Sequence, residues 1–166
     1  MKTINMKLKN PQYLVFDVDG VMTTGQFLYS KDGKEYKVFG PHDNDGIKLL
    51  KKKITIVFIT ADKRGYPISK KRIVEDMRQK LFIVGETERF NYIRDNYGFD
   101  KTIYMGDGIH DVEILKKCLF GIAPKNARIE AKKVADYITP SNSGEGAVLD
   151  ACLKIDKVFF IDKGKH

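Results

Sequence analysis

Residues Leu14 to Gly20 read L-V-F-D-V-D-G: an apolar run that stops abruptly on two aspartates flanking a valine, then a glycine. A buried β-strand with that ending delivers its last side chains to the edge of a sheet, where ligands of open α/β folds bind. Period-2 geometry puts Asp17 and Asp19 on one side of an extended segment, although a turn starting at Gly20 can re-aim either. Two like charges held that close are costly unless a cation or a proton lies between them. The pattern points to a carboxylate site that binds Mg²⁺. The plainer alternative for so short a motif is a strand-end turn carrying solvated aspartates.

Outward from this strand, β-prone runs recur at Tyr13 to Phe16, Ile54 to Ile59, Leu81 to Val84, Thr102 to Met105, Phe120 to Ile122 and Tyr137 to Ile138. Helix-like stretches lie between most of them: Asp45 to Lys52, Ser69 to Gln79, Glu88 to Tyr97, Asp111 to Lys117 and Ala127 to Val134. Strand alternating with helix predicts an α/β, Rossmann-like three-layer sandwich: a mainly parallel central sheet with helices on both faces. One segment breaks the rhythm. Gly25 to Phe39 holds two β-prone runs around K-D-G-K, a strong hairpin signal. Its Phe27, Tyr29, Tyr36, Val38 and Phe39 are more apolar than a free ribbon tolerates, so it packs on its own domain or on a neighbouring subunit.

The 166 residues suffice for one domain, 1–166, with a sizeable core, and 42% hydrophobic with 31% charged residues is ordinary for a soluble protein. No apolar stretch approaches the roughly 18 residues of a membrane span. The first ten residues, M-K-T-I-N-M-K-L-K-N, lack the apolar core of a secretory signal, which leaves a cytoplasmic location as the expectation. Cys118 and Cys152 have no C-x-x-C partner and read as two buried free thiols. The net charge of +8 is spread over short lysine clusters without interleaved aromatics. That favours a solvated surface that attracts anionic substrates over a nucleic-acid binder.

Further polar residues follow the later strands. Thr60 comes after I-T-I-V-F-I, and its hydroxyl can bond a phosphate oxygen or merely cap a helix. Arg89 stands near the start of a helix, where a guanidinium can neutralise phosphoryl charge or simply face solvent. After T-I-Y-M comes G-D-G-I-H-D, so Asp107 and Asp111 place two more carboxylates beyond a strand end. Acidic turns at two strand ends would converge above the sheet.

In this order the motifs D17-V-D-G20, Thr60, Arg89 and G106-D-G-I-H-D111 resemble the haloacid dehalogenase-like phosphohydrolase superfamily. The closer resemblance, running from Leu14 to about Leu153, is to the capless branch that contains 3-deoxy-D-manno-octulosonate 8-phosphate phosphatases. It rests on D17-V-D-G-V-M-T-T-G25, the hairpin, F39-G-P-H-D-N-D-G-I-K-L-L50 and S143-G-E-G-A-V148. The gaps before Thr60 and before Arg89 leave no room for a substantial cap domain.

The resemblance implies a phosphoric monoester hydrolase acting on a small phosphorylated sugar acid, in lipopolysaccharide biosynthesis, through an aspartyl-phosphate. Asp17 would be the nucleophile and Asp19 the acid and base. Asp17, the carbonyl of Asp19 and Asp107 would hold Mg²⁺, although an oxygen-rich site also tolerates Mn²⁺ or Co²⁺. Thr60 and Arg89 would stabilise the phosphoryl oxygens, and Asp111 would act near the metal or orient Arg89. In that branch the hairpins assemble a homotetramer in which a neighbour covers each site. No nucleic acid or membrane partner is implied.

The chain departs from the branch's pattern at Thr24, His42, Asp62, Arg89 and Gly108. His42 stands for an arginine and Asp62 for the basic residue of I-T-G-R, so both are candidate substrate contacts and both bear on which molecule is cleaved. His110 reads as a turn or surface residue. The loop Ser143 to Gly146 reads as a flexible approach to the site or as a turn before a C-terminal helix. Competing readings are a phosphatase for a nonulosonate 9-phosphate or another phosphosugar, and a non-catalytic oligomeric scaffold.

Overall fold

A computed structural model describes residues 9–160; the range 1–166 read above as one domain, and the N-terminal stretch read for a signal, extend outside the described residues. The central sheet contains β1 (Tyr13–Asp17), β4 (Thr55–Thr60), β5 (Lys80–Ile83), β6 (Thr102–Met105), β7 (Phe120–Ala123) and β8 (Tyr137–Ile138). Their order is β5-β4-β1-β6-β7-β8, and every neighbouring pair is parallel. Between β1 and β4 come the hairpin strands β2 (Thr23–Ser30) and β3 (Gly33–Phe39) and the helix α1 (Asp43–Leu50). The later crossovers are α2 (Tyr66–Lys70), which continues as a π-helix over Lys71–Asp76, then α3 (Arg89–Asn96), α4 (Val112–Lys117) and α5 (Ile129–Val134). The chain closes on α6 (Ala147–Ile155) and a π-helical turn over Asp156–Phe160.

The alternation of side chains along the strands divides the core into two layers. Leu14, Phe16, Ile56, Phe58, Ile103, Met105, Phe120 and Ile122 face one side, against Ile47 and Leu50 of α1, Ile73, and Val148, Ala151, Cys152 and Ile155 of α6. Val15, Val57, Ile59, Tyr104 and Ala123 face the other, against Ile93 of α3, Ile114 and Leu115 of α4, and Ala131 of α5. Burial on both faces explains why these strands read as continuous apolar runs rather than alternating ones. The expected parallel sandwich is therefore present, without a cap. Cys118 and Cys152 are buried thiols in no disulfide, as expected. Among the described residues no helix is long and apolar enough to cross a membrane.

Strand order decides where chemistry can sit. From β1 the chain adds β4 and β5 on one side, then returns through α3 to β6 on the other. The C-terminal end of β1, at Asp17, therefore lies at the switch point where a crevice opens above a parallel sheet.

A buried carboxylate ties the hairpin's exit to the C-terminal helix. Asp43, fully buried at the start of α1, accepts the backbone N–H of Val148 at 3.0 Å. Burial raises its pKa, while backbone N–H groups of Val148, Leu149 and Gly146 act against that rise. A negative side chain at a helix N-terminus is favourable. Asp43→Ala leaves helix N–H groups unpaired and is expected to lower stability by about 1–3 kcal/mol. Thermal unfolding reads this as a drop of about 2–4 °C per kcal/mol, and Asp43→Asn, which keeps an acceptor, should lose less.

Candidate active site

β1 ends inside the site, so Asp17 is 7% exposed and its carboxylate is met from three directions. Oδ1 accepts the backbone N–H of Val18 at 2.8 Å and Arg89 Nη2 at 3.3 Å, and Oδ2 accepts Arg89 Nη1 at 2.8 Å. Arg89, the first residue of α3, also reaches Asp111 Oδ1 at 2.7 Å. Its guanidinium is 4% exposed and links the end of β1 to the loop after β6. The carboxylates around it outweigh the effect of burial, and its pKa is driven far above the ordinary arginine value.

Asp111 gathers hydrogen bonds from both sides of the site. A carboxylate has about four lone-pair sites. Here Oδ1 accepts Arg89 Nη1 and the Tyr104 hydroxyl, the latter at 2.5 Å, and Oδ2 accepts the backbone N–H groups of Asp107 at 3.0 Å and Gly108 at 2.9 Å. All four sites are taken, so Asp111 orients Arg89 and shapes the Asp107 turn. Gly106 permits this, because a Cβ there would fall 2.5 Å from Asp111 Cγ.

The two acidic motifs meet at a glycine. Gly20 has φ +81°, a conformation glycine adopts without strain. A Cβ at Gly20 would overlap the Asp107 carboxylate, so the fourth residue of D-V-D-G is the floor on which Asp107 rests. Oxygens of Asp17, Asp107 and Asp111 lie within 4.8 Å of one another. Burial pushes Asp17 up to about 8, helped by Asp111 and Asp107 and opposed by Arg89. Burial, with Asp111 adding to it, likewise pushes Asp107 up to about 7. One guanidinium does not balance this much negative charge. The donors are all oxygen and closely spaced, so the residues fit a hard divalent cation, with Asp17 and Asp107 free to bind it.

Opposite this cluster stands a lysine that sequence reading missed. Lys37, on β3, has a fully buried side chain whose Nζ lies 2.8 Å from Asp19 Oδ1 and 2.9 Å from Asp62 Oδ2. Asp62 also takes Lys34 Nζ at 2.5 Å. Burial opposes ionisation of Asp62, but bonds from Lys34 and Lys37 win and lower its pKa to about 2. No motif flagged either lysine, because a lysine in a hairpin reads as solvated. Tyr104 was missed as one apolar-strand residue among others.

A cavity of about 360 Å³ opens over these groups, lined among others by Asp17, Asp19, Asp62, Arg89, Asp107 and Asp111. The hairpin supplies Phe27 and Lys34 to its wall. Thr60 is fully buried beneath it, its hydroxyl 3.4 Å from Asp19 Oδ2, while Ala61 reaches the lining. His110 is at the rim, 3.2 Å from Glu86. His42, expected to contact substrate, is exposed at the start of α1 and is not part of this chain's cavity lining. The loop Ser143 to Gly146 is also outside it; Gly144 donates to Val21 O at 3.3 Å, Ser143 to Asn126 at 2.9 Å, and Gly146 leads into α6.

Comparison with known proteins agrees with this geometry. Residues 88–151 match a family model described as haloacid dehalogenase-like hydrolase. A 3-deoxy-D-manno-octulosonate 8-phosphate phosphatase of Haemophilus influenzae is 32% identical over 149 residues, covering 87% of this chain and 82% of the relative. The cobalt-bound deoxy-D-mannose-octulosonate 8-phosphate phosphatase of Haemophilus influenzae superposes with a TM-score of 0.79 at 26% identity, covering 93% of this chain and 91% of that one. The Moraxella catarrhalis 3-deoxy-D-manno-octulosonate 8-phosphate phosphatase, solved with magnesium ion, phosphate ion and the sugar acid, gives 0.79 at 27% identity, covering 96% and 93%. With its parallel sheet, its uncapped crevice and its paired acidic motifs, the chain belongs to the haloacid dehalogenase-like phosphohydrolases, in the capless branch of these phosphatases.

Proposed function

We propose that this chain is a Mg²⁺-dependent phosphatase for a sugar-acid phosphate of the 3-deoxy-D-manno-octulosonate 8-phosphate class. The observation that carries the reading is the meeting of Asp17, Asp107 and Asp111 within 4.8 Å around Arg89. The names of the similar proteins support the substrate class.

Asp17 is the nucleophile: one carboxylate oxygen attacks phosphorus in line with the sugar oxygen, the P–O bond to the sugar breaks, and an aspartyl-phosphate remains. Asp19, protonated, gives its proton to the departing alkoxide. It then takes a proton from water, whose oxygen attacks phosphorus and returns Asp17 as carboxylate with inorganic phosphate. Thr60 and Arg89 stabilise the phosphoryl oxygens, and Asp111 holds Arg89 in place. Asp17, the carbonyl of Asp19 and Asp107 would hold Mg²⁺, which when bound neutralises phosphoryl charge that this acidic cavity would otherwise repel.

A second reading, a nonulosonate 9-phosphate or another phosphosugar as substrate, is favoured by one feature: Asp62 stands where the branch carries a base. A panel of phosphorylated sugar acids with phosphate detection separates the two, since the preferred substrate shows the higher kcat/KM.

The exposed face of the hairpin, with Leu28, Tyr29, Tyr36 and Val38 each more than 40% accessible, suits burial against further copies. This supports a homotetramer; likeness to the octulosonate phosphatases supports a place in lipopolysaccharide biosynthesis, with the reaction in the cytoplasm.

Removing Arg89 would strand two buried carboxylates at a cost of about 3–5 kcal/mol, so the isosteric Asp17→Asn is the cleaner test. It is expected to abolish turnover while thermal unfolding stays cooperative; appreciable residual turnover of the best substrate would end the nucleophile reading. Chelation with EDTA should remove activity and Mg²⁺ restore it. Asp107→Asn should raise the Mg²⁺ concentration for half-activity. For assembly, light scattering should give four times the chain mass, and Leu28→Asp with Tyr36→Asp should reduce it.

A further inference from the structure

Among the buried cations of the described residues, Lys37 is the one that touches Asp19. Its Nζ lies 2.8 and 3.1 Å from the two Asp19 oxygens, 2.9 Å from Asp62 Oδ2 and 2.9 Å from Ser69 Oγ. An ammonium has three N–H donors. Asp19, Asp62 and Ser69 occupy them, so the charge is fixed from three segments: the turn after β1, the turn after β4, and α2. Asp62 is held in turn by Lys34, which sits 3.5 Å over the Phe27 ring, and by the backbone N–H of Gly65 at 3.0 Å.

This arrangement gives Asp62 an occupation other than substrate. Its acceptors face two lysines and a backbone N–H, and it sits 15% exposed in the turn after β4, against the hairpin. Asp19 is different. It lies two residues beyond the strand, in a turn, and apart from the Thr60 hydroxyl at 3.4 Å its side chain takes its polar contacts from Lys37. A carboxylate on a turn has free rotation about its side chain unless a partner removes it, and a small misplacement of an acid costs much of its effect.

We infer that Lys37 is a positioning residue: it aims the Asp19 carboxylate at the departing oxygen, and Asp62 holds Lys37 rather than binding the sugar acid. This rests on Asp19 acting as the acid. The hairpin is thereby part of the catalytic apparatus of its own chain, in addition to any surface it offers to neighbours.

Leaving-group dependence tests it. A nitrophenolate departs without an acid, whereas a sugar alkoxide needs one, so loss of Asp19 alignment must hurt the two unequally. The probes are 3-deoxy-D-manno-octulosonate 8-phosphate and p-nitrophenyl phosphate, with Lys37→Met, Lys37→Arg, Asp62→Asn and Asp19→Asn. Hydrolysis of the aspartyl-phosphate, in which Asp19 is the base, is common to both probes, so the comparison is made on kcat/KM, which reports formation of that intermediate. Lys37→Met should lower kcat/KM on the sugar phosphate about 10- to 100-fold and on p-nitrophenyl phosphate by only about threefold or less. Lys37→Arg should recover part of the loss, and Asp62→Asn should show the same selectivity in weaker form.

Equal loss of kcat/KM on both probes, or a change confined to KM, overturns the proposal: the first makes Lys37 structural, the second a substrate ligand. If Lys37→Met does not fold, Lys37→Arg and Asp62→Asn decide by the same ratio. If Asp19→Asn itself shows no leaving-group selectivity, the acid role of Asp19 fails, and the Lys37 proposal falls with it for that distinguishable reason.

Discussion

Three carboxylates crowd the end of the central strand, and the Arg89 guanidinium is the charge that lets them stay there. It bonds Asp17 at the tip of β1 and Asp111 in the loop after β6, from the first residue of a helix that belongs to neither. A guanidinium suits the task because its donors form a planar fork that can serve two acids at once. Asp111 in turn spends all its lone pairs on Arg89, Tyr104 and the backbone of the Asp107 turn. Charge balance at β1, the shape of the acidic turn and the entry of α3 are thus one linked arrangement. The remaining deficit of positive charge fits the site to a divalent cation.

Topology makes that arrangement possible. Asp17 and Asp107 are far apart in the chain but belong to strands paired side by side, β1 with β6, in parallel register. Both acids therefore leave the sheet at the same edge, and Gly20 allows the Asp107 carboxylate to come down onto the turn after β1. The hairpin adds the opposite wall. Its inward lysines meet Asp19 and Asp62, while its outward aromatic and aliphatic side chains remain accessible. One two-stranded ribbon thus meets the site with its lysines and leaves apolar side chains exposed.

The departures from the branch's pattern acquire different meanings in three dimensions. Arg89 keeps the position and the charge of the lysine it replaces. Asp62, at the cavity wall, pairs with Lys34 and Lys37. His42 is exposed and stands outside the lining of this chain's cavity.

The sequence by itself determined the strand–helix alternation, the hairpin and the end of β1 as a chemical edge, because burial on both faces leaves continuous apolar runs and carboxylates at strand ends break them. It also named Asp17, Asp19, Arg89, Asp107 and Asp111, since these types in this order stand where a parallel sheet presents its ligands. The partners of Asp111 (Arg89, Tyr104 and the backbone of the Asp107 turn) appear only in space. Lys37, Lys34 and Tyr104 were invisible for a related reason: a lysine in a ribbon and a tyrosine in an apolar strand look alike whether they face solvent, core or a carboxylate. Pattern along a chain reports which face a residue shares with its near neighbours, whereas the partner of a charge is set by strand order and by where a distant turn lands, and only the tertiary structure decides that.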